Sequence, residues 1–526
     1  MINPPTQKYI ERLMHGDDVR KSELTAPKIN VDHVSSSVAS LYEKLRQVID
    51  FQEEHLLRRN AVLRSLKRRL MLNTNPREIA HPLVKELIRG GYFPNGKIPE
   101  VRVDIVETTI KNTLIILNNL SDSLAGNERN ELSEWMKELA SCELEERLAP
   151  PLKERALLSY MVETLAPMIH ITENISEEDK YLQIYIACQK ALLKSDYTLI
   201  SYRLFRYYYP DWLKISEDEV IGIGKNLHLT KTRIDQEINN PVGKRIYKII
   251  SRHIAPFLII GDIVGDNPFS GEHILEEKEE LEIKLLSAYR LRHDTVKAKV
   301  RRSGIRSVIS ILLSKMFITF LAEIPIDKYI THSFSWPVLA INLLIPPSLM
   351  LIIASSIKPP KIEIAPRVAM EAIRYIKSAK QVETYEIRPQ KQRGLALNAF
   401  LALIFLAISS GVFLGVIYIL NKIHFSFLSI VIFFVFFCLI AFSGIKTQQW
   451  TRELSIEEDK ESFFKFIGDL FFLPFVRVGK WLSGKFKRYN ILILLLNLFF
   501  EAPLQTVFQF IDSWHGYLKE KKEEME

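Results

Sequence analysis

The chain reads as all-α, with a helical cytoplasmic domain followed by a polytopic helical membrane domain of about four transmembrane helices. Three observations predict this. Apolar residues recur at helical spacing through residues 35–300, and no stretch sustains the two-residue alternation of a strand. In the C-terminal part they gather instead into uncharged or nearly uncharged runs long enough to cross a bilayer. Lys and Arg crowd some flanks of those runs and are scarce at the others.

The 526 residues suffice for two or three domains with sizeable cores. The hydrophobic fraction of 47% averages a polar front with an apolar back, so its distribution is more informative than its value. Cys142, Cys188 and Cys438 lie far apart in no CxxC or CxxH pattern, which argues against a disulfide framework or a structural zinc site. The opening MINPPTQKYIERLMHGDD has no apolar core of signal-peptide length, so the N-terminus is expected to stay on the side where it is made. The net charge of +8 follows the flanks of the apolar runs and indicates topology before it indicates nucleic acid, which is not an expected partner.

Taken in order, residues 1–30, with Pro4, Pro5, Gly16 and Pro27, read as a flexible lead-in to a cytoplasmic helical domain over 31–270. From Ser35, the residues Val38, Leu41, Leu45, Val48, Leu56, Leu63, Leu66 and Leu70 keep near-helical spacing until Asn73–Pro76. Arg58, Arg59, Arg64, Lys67, Arg68 and Arg69 form a basic face on this helix. Anionic lipid headgroups or nucleic acid would suit it, but a solvated face balanced by Glu53, Glu54 and other acidic helices is the commoner arrangement. Further helices are expected near 79–89, 100–120, 128–147, 152–168, 177–194 and 196–208. SYRLFRYYYPDW, residues 201–212, suits base stacking or an interfacial belt, and more commonly marks aromatic core with guanidinium groups reaching the surface. An amphipathic connecting helix follows over 271–304, with Leu281, Leu285, Ala288, Tyr289, Val296 and Val300 at helical spacing. Continued without a break to Glu323, it would be about 80 Å long.

The transmembrane domain is expected over 305–445, with spans at about 305–322, 335–357, 396–420 and 425–445. Asn421–His424 is so tight a connection that the last two form an antiparallel hairpin. Arg292, Lys297, Lys299, Arg301, Arg302 and Arg306 precede the first span, and nine Lys and Arg residues from Lys358 to Arg393 fill the loop between the second and third. The other two loops carry one lysine each, Lys328 and Lys422, so both termini and the middle loop are expected in the cytoplasm. Residues 446–526 read as a basic, Phe-rich membrane-interface region, with Lys465, Arg477, Lys480 and Trp481 at anionic headgroups. Within it, 463–482 and the short run Ile491–Phe500 fit a re-entrant or surface-lying hairpin better than a fifth span, the alternative being that 463–478 and 491–510 pair as two more spans. The segment 366–380, with Arg374 and Lys377 beside Ile373 and Ile376, reads as a second surface-lying helix.

Few residues point to chemistry. Lys315 stands inside the first span, where an ammonium costs several kcal/mol unless it snorkels, pairs or meets water. Glu323, eight residues on, is too distant on a regular helix to pair with it, which leaves another helix to supply a partner. In the second span Pro346 and Pro347 follow Asn342, and a kink or break there would free carbonyls for a binding site. Gly411 and Gly415 form GxxxG in the third span, a spacing that lets helices approach within a chain or in a homo-oligomer. GIGKN at 222–226 lacks P-loop spacing, the acidic 261–273 matches no EF-hand and better supplies Ser270 as a helix cap, and no GxSxG or HExxH occurs. No catalytic, cofactor-binding or metal-ligating residue is therefore assigned. The surfaces suggest a non-enzymatic membrane-anchored scaffold whose cytoplasmic domain binds a protein partner. The alternative is a transporter, channel or lipid-moving protein with its path near Lys315 and Asn342.

Overall fold

The computed structural model describes residues 2–22, 26–31, 54–121, 124–172, 175–265, 278–329, 335–357, 361–377, 384–388, 394–451 and 463–488, with single positions at 275, 454 and 514. The stretch from Ser35 to Glu53, the Ser270 cap and the run at 491–510 lie outside these residues. Among the described residues the fold is all-α apart from two three-residue strands, and four helices are long and apolar enough to cross a membrane. Two compact units divide it. One contains the described residues up to Arg290 and those of 363–389; the other contains those of 291–362 and 390–526.

The first unit opens with α1 (Pro4–Ser22), which corrects the flexible lead-in. Tyr9, Ile10 and Leu13 are buried, and the Tyr9 ring stacks on Tyr160 at 5.1 Å. Pro4 and Pro5 occupy the first turn, where a missing N–H costs no helical bond. Then follow α2 (Glu54–Leu72), α3 (Pro76–Arg89), α4 (Val101–Asn118), α5 (Gly126–Leu148) and α6 (Leu152–Leu165). After strand β1 (Ile169–Ile171) come α7 (Glu177–Leu192), α8 (Tyr197–Tyr208), α9 (Glu217–Lys225), α10 (Leu227–Asn239), α11 (Pro241–Ile250) and α12 (Ile254–Val264). Side chains of Asn75, Ser176, Asp196 and Ser216 accept backbone N–H bonds at the starts of α3, α7, α8 and α9, and Ser216 with Glu219 completes a capping box.

Apolar clusters fill this unit, among them one around Val62, Leu83, Val106 and Leu144 and one around Trp135, Met136, Phe205 and Trp212. The aromatic segment 201–212 belongs to the second, with the Phe205 and Trp212 rings edge to face. Its Arg203 pairs with Glu146 at 2.8 Å. The basic face of α2 is neutralised by other helices: Arg59 grips Asp196 with both nitrogens, Lys67 pairs with Glu134, and Arg68 and Arg69 share Glu86.

The long helix is continuous, as α13 (Lys278–Ile318), a π turn over Thr319–Glu323 and α14 (Ile324–Tyr329). The second span, α15 (Trp336–Ser356), also runs on without a break through Pro346 and Pro347, which are buried. Only the bonds those prolines would have donated to the Asn342 and Leu343 carbonyls are lost.

The helix expected to lie on the bilayer, α16 (Ala365–Lys377), belongs instead to the first unit. Val368, Ala369, Ala372, Tyr375 and Ile376 are buried, and the Tyr375 ring stacks on Phe257 of α12 at 5.0 Å. Its apolar face is therefore already covered by protein, which removes Arg374 and Lys377 from the cationic rim of a lipid-facing helix. Strand β2 (Tyr385–Ile387) pairs parallel with β1, Ile169 opposite Tyr385 and Ile171 opposite Ile387. The backbone N–H of Asn3 donates to the Ile376 carbonyl at 2.9 Å, so the start of the chain also holds this segment.

The remaining helices are α17 (Leu395–Lys422), α18 (Phe427–Thr451) and α19 (Phe463–Arg488). Phe475 of α19 packs on Phe413, Phe434 and Phe437, all well inside the third and fourth spans. Its neighbour Arg477 lies over the Phe405 ring at 4.4 Å, ten residues into α17, whereas headgroups would meet the helix ends. Lys480 and Trp481 are exposed; the Lys465 side chain lies outside the described ones.

Candidate functional site

The site is built on the buried faces of α13 with its π turn, α15 and α18. Lys315 and Glu323 have no exposed side-chain surface, and Lys315 Nζ lies 3.1 Å from Glu323 Oε2. This overturns the expectation that the lysine's partner must come from another helix. On a regular α-helix the two positions are about 12 Å apart along the axis. The π turn holds one more residue per turn, shortens that separation and keeps Glu323 on the side from which the long lysine side chain approaches.

Other helices complete the shell of Glu323. Thr319 Oγ1 donates to Oε2 at 2.9 Å, while Asn342 Nδ2 from α15 and Ser429 Oγ from α18 both donate to Oε1. Ser429 Oγ also lies 3.5 Å from Asp327 Oδ2, and Lys315 Nζ sits 5.8 Å from the centre of the Phe436 ring. Asp327 is 7% exposed and Asn342 1%. One ammonium, one amide and two hydroxyls thus converge on a single carboxylate, which is how a charge survives in apolar surroundings. The amide is only half used, because Asn342 Oδ1 is buried without a hydrogen-bond partner.

Sequence reasoning found Lys315, Asn342, Pro346 and Pro347. The structure brings the first two to the same carboxylate and places the prolines one turn beyond Asn342. It missed Thr319, Asp327 and Ser429, and it set Glu323 aside as too distant. Four-residue steps were the available signal: Lys315, Thr319, Glu323 and Asp327 follow one another at i, i+4 along the helix.

The third-span glycines lie apart from this site. Nothing comes within 4 Å of where a Cβ would stand at Gly411 or Gly415, so neither mediates a close helix approach among the described residues. Close approaches occur elsewhere. A Cβ at Gly304 would stand 2.9 Å from Ala354 Cβ, one at Gly444 would stand 2.7 Å from Ile353 Cγ2, and Gly479 abuts the Cys438 carbonyl. Among the described residues no group of His, Cys, Asp and Glu is placed to hold a metal ion. Comparison with protein-family models, with curated proteins and with solved structures returned no match.

Proposed function

We propose that this chain is a multi-pass membrane protein that moves a small cation across the bilayer, with Glu323 as its binding group and Lys315 as the resident counter-charge. The observation that carries this reading is the convergence of four donors from three helices on one fully buried carboxylate. A membrane anchor needs only apolar helices, and intramembrane charges are costly enough that those retained mark ion and substrate pathways. The scaffold reading, with a protein partner on the helical unit, leaves this cluster without a purpose. No enzymatic role is proposed.

In this reading the helical unit and the segment 363–389 are cytoplasmic. Positive flanks support that side, and so does the folding of 363–389 into the same unit as residues 2–31, which requires an even number of crossings between them. Lys480 and Trp481 of α19 follow Gly479, which abuts the Cys438 carbonyl halfway along the fourth span, so they, like Arg477, lie away from headgroup depth.

The test is flux through the full chain reconstituted in liposomes carrying indicators for protons, sodium and potassium. Wild type is expected to pass at least one of them faster than empty liposomes, and Glu323→Gln to abolish the difference. Wild-type vesicles as tight as empty ones to all three would overturn the reading.

A further inference from the structure

The buried face of the first span is polar along nearly its whole length. Ser303, Ser307, Lys315, Thr319, Glu323 and Asp327 are all buried, and they succeed one another in steps of four interrupted only by the half-buried Ile311. From Ser303 to Asp327 the series covers about 36 Å, against a hydrocarbon core of about 30 Å. A four-residue step also advances around a helix, so the row winds, yet each member remains the neighbour of the next. On α18, Ser429 meets the outer end of the row, within hydrogen-bond reach of Glu323 and Asp327. Gly304 and Gly444 both pack on neighbouring residues of α15, Ala354 and Ile353, which brings the inner ends of α13 and α18 to the same level.

Several atoms on this seam are unsatisfied. Ser303 Oγ and Ser307 Oγ are buried without a hydrogen-bond partner, as is Asn342 Oδ1 beside Glu323. A buried hydroxyl or amide oxygen left alone costs about 1–3 kcal/mol, so three along one seam are a liability unless a hydrogen-bonded species visits them.

We infer that the cation handled at the Glu323 site is the proton, and that it travels along the Ser303–Asp327 seam with Lys315 as the carrier between its two halves. This rests on the transport reading above and names its substrate. The spacing of the oxygens selects the proton. Successive positions rise about 6 Å along the axis, a gap that one or two waters hydrogen-bonded to the flanking groups can fill, so a proton can hop between them. A hard metal cation needs about six free oxygens around one point, but the oxygens that gather at Glu323 are already engaged by an ammonium, an amide and two hydroxyl donors. Lys315 already fills the cation position beside Glu323.

The single apolar step, Ile311, separates Ser307 from the Glu323 cluster, and Lys315 has the four-carbon side chain to reach either side of it. Proton bookkeeping closes without a co-reactant. The Lys315 ammonium turns toward Ser307 and releases its proton inward, the Glu323 carboxylate takes one from the Asp327 side, and the Glu323 carboxyl then hands that proton to the Lys315 amine. The original ion pair is restored and one proton has crossed. The charged groups facing Glu323 are Lys315 and Asp327 on its own helix. α15 contributes only the Asn342 amide, and α18 the Ser429 hydroxyl and, at Lys315, the Phe436 ring. Arg301, Arg302, Arg306 and Lys446 carry charge near the inner end.

The experiment imposes a pH gradient on liposomes containing the full chain, an internal pH dye and a potassium–valinomycin clamp on the potential. Wild type should collapse the gradient, Ser307→Ala should slow the collapse several-fold, and Ile311→Ser, which completes the row of polar side chains, should speed it. Neither substitution touches the ion pair, so both test the path in a protein that retains its buried charges. Lys315→Met should leave only the leak of empty liposomes. Sodium or potassium flux without proton flux would overturn the proton assignment and leave cation transport standing, whereas absence of every flux would overturn both. Proton flux indifferent to Ser307→Ala and Ile311→Ser would place the path elsewhere.

Discussion

Lys315 Nζ and Glu323 Oε2 form an ion pair at 3.1 Å across eight positions of one helix, with neither side chain exposed. Such a pair is not a net source of stability, because removing two charges from water costs about what their attraction returns. Breaking it is another matter. Lys315→Met alone strands a buried carboxylate and should destabilise the protein by about 3–5 kcal/mol, read as a fall in thermal midpoint in detergent. The double variant Lys315→Met/Glu323→Leu should recover most of that loss while remaining inactive in any flux assay. A double variant no more stable than the single one would mean that the cluster holds the three helices together through more than charge balance.

Glycine positions divide into two groups. Gly444→Leu drives a side chain into Ile353 and should cost about 1–3 kcal/mol, whereas Gly411→Ala meets open space and should be neutral or stabilise by up to about 1 kcal/mol through helix propensity. Thermal unfolding of the two variants checks this. A clear loss at Gly411→Ala, accompanied by a change in particle size, would show that a second copy covers that face.

How much of this was legible in the sequence depends on how local each signal is. The four spans, helices α2 to α8 and the basic face of α2 are properties of contiguous residues, and periodicity or run length reveals them, whereas α9 to α12 went unread. Lys315 stood out because a charge interrupts an apolar run. Its partner did not, since the regular-helix geometry that made the span readable also made Glu323 look out of reach, and nothing in Thr319–Glu323 announces a π turn. Ser429 is one hydroxyl in a Phe-rich run. An amphipathic pattern gives the existence of an apolar face and not what covers it, which is why α16 read as a lipid-facing helix. The same limit applied to α1, where two prolines and a glycine masked a helix whose Tyr9 and Leu13 are core.

Glu145 gives the first unit an unusual pH dependence. Burial pushes its carboxyl up to about 7, against the pull of Arg58 and Arg59. In the unfolded chain the group ionises near 4.5, so between about 4.5 and 7 the folded state holds a proton that the unfolded state has lost. Stability from this residue is therefore fully present at low pH and declines as pH rises through that window, by an upper bound of about 3 kcal/mol. Glu145→Gln should flatten this part of the pH–stability curve. An unchanged slope in the variant would remove Glu145 as its origin.

The segment between the second and third spans is fastened by a compact polar cluster. Tyr375 hydroxyl donates to Glu371 Oε1 at 2.9 Å, His253 Nδ1 lies 2.9 Å from the same oxygen, and Tyr375 is 2.6 Å from His253 Nδ1. Burial and the neighbouring Glu371 hold the Tyr375 phenol well above its ordinary range, so it stays a donor. Burial alone would raise the Glu371 carboxyl, but the bonds from His253 and Tyr375 hold it below its usual value. Its contribution is therefore present at neutral pH and is lost as pH falls below about 4.5 and through the depressed folded value. Tyr375→Phe keeps the ring stacked on Phe257 and removes only the hydroxyl, at a cost of about 1–2 kcal/mol. Because β2 and α16 are short, that cost should appear as local opening. Amide exchange over 365–377 and 385–387 is expected to accelerate while α2 to α5 remain protected. Uniform acceleration across the whole unit would instead show that the inter-span segment is part of its cooperative core.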